Sequence, residues 1–160
     1  MTARVKDSPQ RRVAEAWRSE QADTGAGRLR LGWEAMALPG WRWVPGMSVV
    51  PSGSARHRAV FLGTAPDGSL LSACHDDGTK HIHRFYSQGV AVDVLDLTTG
   101  YILLSLLPPH VQGFILPAPR SDGSEWEVRC IPMWEPLDGR LPLGVAVLAA
   151  AAGRGGWGAR

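Results

Sequence analysis

The sequence predicts an α+β fold: a single domain with an antiparallel β-meander sheet, two helices packed on one face and a partly helical N-terminal arm. Three observations carry that expectation. Between residues 57 and 95, short apolar runs are separated by Asp-Gly pairs, the strongest local signal of tight hairpins. Two later runs, "LTTGYILLSLL" and "GVAVLAAAA", are long and poor in turn residues and read as helices. With 44% hydrophobic and 20% charged residues, 160 residues suit one ordinary core, while 19 Gly and 12 Pro require many turns.

The elements follow in order. Ser8-Pro9 is a helix start, Ser capping and Pro at the first helical position, and Val13, Ala16 and Trp17 then fall at helical spacing with Arg11, Arg12 and Arg18 outside the stripe. "DTGAG" at 23–27 breaks this helix, so residues 1–27 form an arm, flexible or partly helical and basic. "RLRLGWEAMAL" predicts a second short helix ending before Pro39-Gly40. Trp41 and Trp43 alternate onto one face of a strand that turns at Pro45-Gly46 and resumes at Met47. The meander supplies strands near 57–64, 69–75 and 79–86, with "VAVDVLDL" following. A helix is expected over 98–107, stopped by Pro108-Pro109, then a hairpin whose second strand, near 124–131, sets Trp126, Val128 and Cys130 on one face. A closing helix over 141–152 and a flexible tail over 153–160 end the chain. The expected sheet thus has five strands, near 41–50, 57–64, 69–75, 79–86 and 124–131, in a domain spanning 28–152.

Charge and cysteine usage narrow the function classes. The formal charge of +2 is small and uneven, with seven Lys/Arg against four Asp/Glu in residues 1–31 and a nearly neutral body after them. That is too little for a strong nucleic-acid footprint. Weak binding would use the arm, through Arg4, Lys6, Arg11, Arg12, Arg18, Arg28 and Arg30 with Trp17 to stack. Two cysteines, Cys74 and Cys130, make no disulfide framework and suit a reducing compartment. The first 20 residues lack an apolar stretch of signal length, and the longest apolar runs fall well short of the roughly 20 residues that cross a bilayer. No membrane association is expected, and the expected compartment is the cytoplasm.

Chemistry concentrates in "CHDDGTKHIH", residues 74–83. If Asp77-Gly78 closes a two-residue turn, Cys74 pairs with His81 and Ser72 with His83, and Cys74, His81 and His83 share a face as a candidate Zn²⁺ ligand set. A three-residue loop with a bulge would instead part Cys74 from both histidines. "HIH" lacks the following glutamate of a cupin metal motif, and no segment repeats as a propeller blade does. No G-x-S-x-G elbow and no P-loop occurs, so no catalytic residue and no cofactor is assigned, with Zn²⁺ as the minority reading.

"LGWEAMALPGWRWVPGM" at 31–47, the Asp-Asp-Gly hairpin and "VDVLDLTTGYILLSLL" at 92–107 resemble, in that order, a loose set of small uncharacterised proteins of phages and mobile elements in GC-rich bacteria. Those proteins carry a W-x-W-x-P-G-M segment, a meander, a PDL-x-DPAT-x-G-x-LL helix start, a late strand and an Ala-rich closing helix. The likeness spans about two-thirds of the chain, and "LDLTTGYILLSLL" lacks the Asp-Pro-Ala of the pattern. The resemblance implies a non-catalytic accessory or protein-interaction role with a protein partner. The alternatives are a small Zn-binding protein or hydrolase using Cys74, His81 and His83, and a weak nucleic-acid binder.

Overall fold

The computed structural model describes residues 8–19, 25–51, 59–76, 79–86, 90–119, 122–128 and 140–158. Among them lie helices α1 (Pro9–Ser19), α2 (Gly25–Ala37), α3 (Leu97–Leu106), α4 (Pro109–Gln112) and α5 (Leu143–Arg154). The strands are β1 (Ser48–Pro51), β2 (Ala59–Thr64), β3 (Leu70–Asp76), β4 (Thr79–Phe85), β5 (Val90–Val92), β6 (Ile115–Pro117) and β7 (Trp126–Val128). The fold is α+β, with a five-stranded sheet in the order β4-β3-β2-β1-β5, antiparallel at every pairing, and a separate β6-β7 hairpin. No helix among the described residues is long and apolar enough to cross a membrane.

Two of the expected strands are corrected. Trp41–Val44 is not a strand; a turn closes with the Met47 N–H donating to the Val44 carbonyl, and the two tryptophans pack edge to face with ring centroids 5.7 Å apart. The fifth strand of the main sheet is β5, whereas β7 pairs with β6 and bridges to Leu141. The hairpin β6-β7 satisfies its own ladder locally, and β1 is left free to take Val90–Val92 as its outer neighbour. Cys130 lies outside the described residues.

The sheet is curled. From Phe85 to Val90 the chain can span at most about 18 Å, less than the roughly 19 Å that four flat strand spacings need. Accordingly Val90 of β5 and Phe85 of β4 enter one cluster with Val49, Ala59, Phe61, Leu70 and Cys74, into which Trp43 packs. These residues define the concave face. The alternate residues Val60, Ala73 and Ile82, in register across β2, β3 and β4, lie on the convex face. Helix α2 packs on that face at β5 and β1, where a Cβ on Gly32 would overlap the Val92 carbonyl and the Ala91 side chain.

The helices do not form a single layer of two. Every residue of α5 from Leu143 to Ala151 is buried, and α5 packs against α1, α3 and β7. It is the core of the molecule, which explains why its sequence shows almost no polar stripe. Helix α1 contributes Val13 and Ala14 to that core, so the helical part of the expected arm is docked on the body, and α2 begins at Gly25, ahead of the expected boundary. The Ser8 start is as read: its carbonyl accepts from Arg12 N–H, and its Oγ accepts from Arg11 N–H at 3.3 Å. The expected tail is also partly core. Trp157 is buried, its indole N–H donating to the Ala35 carbonyl at 2.8 Å and its backbone N–H to Pro39.

One connection ties sheet to helix. Asp96 caps α3, accepting from the Thr99 N–H and hydroxyl at 3.0 Å each, while Thr99 Oγ1 accepts from the Ser48 N–H at 2.8 Å. The helix therefore starts at Leu97 without the Asp-Pro-Ala of the resembled pattern, because Asp96 supplies the cap.

Candidate functional site

The β3-β4 hairpin takes the two-residue register. Cys74 pairs with His81, His75 with Lys80, Ser72 with His83 and Asp76 with Thr79. Cys74, His81 and His83 are thus on one face, as that register requires. Their surroundings differ sharply. Cys74 is 7% exposed and belongs to the concave cluster with Ala59 and Phe61, whereas both imidazoles are exposed on β4. Among the described residues no group of three or more His, Cys, Asp or Glu side chains is placed to hold a metal ion. The two imidazoles are neighbours, with ring centroids 6.3 Å apart and planes inclined by 32°.

Strand β4 is the outer strand of the sheet and is exposed along its length, only Phe85 being half-buried. On its convex side stand Lys80, Ile82 and Arg84. Ile82 is 62% exposed and Tyr86, just beyond the strand, 69%. The row Ile82, Ala73, Val60 crosses three strands, and Leu62 is exposed beside it. At the base of the hairpin Arg84 pairs with Asp67 at 2.9 Å, and hydrogen bonds from the Ser69 hydroxyl and N–H hold the Asp67 carboxyl below its usual range, with Arg84 adding to the effect.

Compared with family models, curated proteins and solved structures, the chain matches none.

The remaining polar features serve the fold. Arg28 grips the buried Asp93 through both carboxylate oxygens at 2.9 and 2.7 Å, and Asp93 also accepts from the Leu95 N–H. Sequence reading placed Arg28 on a basic arm and left Asp93 unremarked. The signal was there: one acid in the apolar run "VAVDVL" needs a cation when buried. Arg30 is likewise tied, to Glu34 at 3.5 Å, and Arg4 and Lys6 lie outside the described residues. A cleft of about 330 Å³ opens between the starts of α3 and α5, lined by Asp96, Asp122, Ser124 and Leu143, and a groove of about 260 Å³ lies between α1 and α2. Ile82 and Val60 were missed as surface residues, because strict alternation marks two faces without saying which one is covered.

Proposed function

We propose that this protein is a non-catalytic interaction protein, of the accessory kind implied by its resemblance to small phage and mobile-element proteins, and that it binds an extended segment of another polypeptide along β4. The observation that carries this reading is the edge of the sheet at β4, which among the described residues is paired on one side only and is exposed along its length. Among the described residues nothing pairs with the outer side of this seven-residue strand, and Ile82, exposed on it, would meet an alternate side chain of an added strand. Lys80 on the same side favours a segment with carboxylates.

The test is a photo-crosslinking residue placed at Ile82, with Leu97, also exposed and far along the chain, as the control position. In extracts of the source cells, a discrete protein adduct is expected from position 82 alone, and Lys80→Glu should weaken a segment bearing carboxylates. Equal labelling from both positions, or none from either, would refute the reading.

A further inference from the structure

We propose that His81 and His83 form a two-imidazole chelate for a borderline divalent transition ion, of the class Cu²⁺, Ni²⁺ or Zn²⁺, with water in the remaining positions. The inference is independent of partner binding and of Cys74.

Residues two apart on a strand project from the same face, so the backbone of β4 holds both rings side by side. The hairpin fixes that strand: all seven residues of β4 pair in unbroken register with β3. Both side chains are exposed, so a ligand nitrogen on each is reached from solvent without opening the fold. Their centroids stand 6.3 Å apart with planes inclined by 32°. Two imidazoles sharing a tetrahedral ion, with each nitrogen about 2.0–2.1 Å from it, have centroids about 5 Å apart. Closing the difference takes side-chain rotation of about 1 Å, which exposed rings make freely.

The donor chemistry selects the ion. Imidazole suits Zn²⁺, Cu²⁺ and Ni²⁺, and affinity at a nitrogen site rises from Ni²⁺ to Cu²⁺. Hard ions such as Mg²⁺ and Ca²⁺ want oxygen ligands. Among the described residues the Cys74 thiol does not complete the set, since it is packed among Ala59, Phe61 and Leu70. Of the flanking cations, Lys80 and Arg84 occupy the opposite side of β4, and Arg84 is paired with Asp67.

Titration of Ni²⁺ into untagged, chelator-stripped protein tests this by calorimetry. One equivalent is expected to bind, and His81→Asn or His83→Asn should each weaken binding by about tenfold or more, because the second imidazole acts at the high effective concentration set by the first. His110→Asn, at an exposed residue of α4, and Cys74→Ala should leave it unchanged. Circular dichroism of each variant establishes that it is folded. Absence of binding, retention in both β4 variants, or an equal loss in Cys74→Ala would overturn the proposal.

Discussion

At Gly144 the first turn of α5 runs against the chain so closely that a Cβ would overlap the Val94 carbonyl oxygen, and a Cβ on Gly100 of α3 would in turn lie 3.1 Å from the Gly144 nitrogen. Gly144→Ala should therefore destabilise the fold by about 3 kcal/mol, as overpacking against backbone that has nowhere to move does. Gly113, by contrast, has φ −64° and nothing within 4 Å of a built Cβ. Gly113→Ala should stabilise by about 0.5 kcal/mol through the unfolded chain. Urea denaturation of the pair checks both signs. Asp67 provides a prediction in pH. Its carboxyl is held low chiefly by Ser69, so its contribution to stability is present above the unfolded carboxyl value of 3.8 and is lost as pH falls through the lower folded value. A carboxyl-carbon NMR titration should place the Asp67 midpoint below 3.8, and Ser69→Ala should return it further than Arg84→Ala does.

Among elements, α5 decides the most. A helix buried on all sides has no solvent face to contribute charge, so its neighbours must supply the covering, and α1 is one of them. Removing residues 1–24 should uncover the α1-facing side of α5. The expected result is a lower melting temperature with binding of the dye ANS, and an unchanged melting profile would contradict the docking of α1. Trp157, just beyond the end of α5, belongs to the same core. Trp157→Ala should cost about 3–5 kcal/mol by denaturant titration, since it leaves a large cavity and an unpaired Ala35 carbonyl. Most of these elements were legible. Ser8-Pro9, the Asp-Gly turns and the Pro108-Pro109 stop all act within a few residues of themselves, so local chemistry sufficed. The docking of α1 and the burial of Trp157 were not legible, because a short amphipathic helix and a Gly-rich ending read the same whether or not something covers them.

For the whole molecule, strand order was the harder matter. The hairpins β2-β3 and β3-β4 were marked by their turns, but the outer neighbour of β1 is Val90–Val92 and not the strand near 124–131, a pairing between distant segments that no local turn signals. The candidate metal stretch shows the same division. Asp77-Gly78 marked the turn but left two registers open, between which the pairing of Cys74 with His81 decides, and the burial of Cys74 depends on Phe61 and Ala59 from another strand. That same sheet leaves β4 at its margin, with consequences for colloidal behaviour. Two copies meeting edge to edge about Ile82 would set Lys80 against Arg84, a like-charge contact that keeps the margins apart. Raising salt from about 0.05 M to 1 M shortens the screening length to about 3 Å, so light scattering should record growing self-association with salt. Lys80→Glu should bring that association on at low salt, where the wild-type chain stays dispersed. On a chain of net charge only +2, the salt response of this margin would then be set by Lys80 and not by the overall charge.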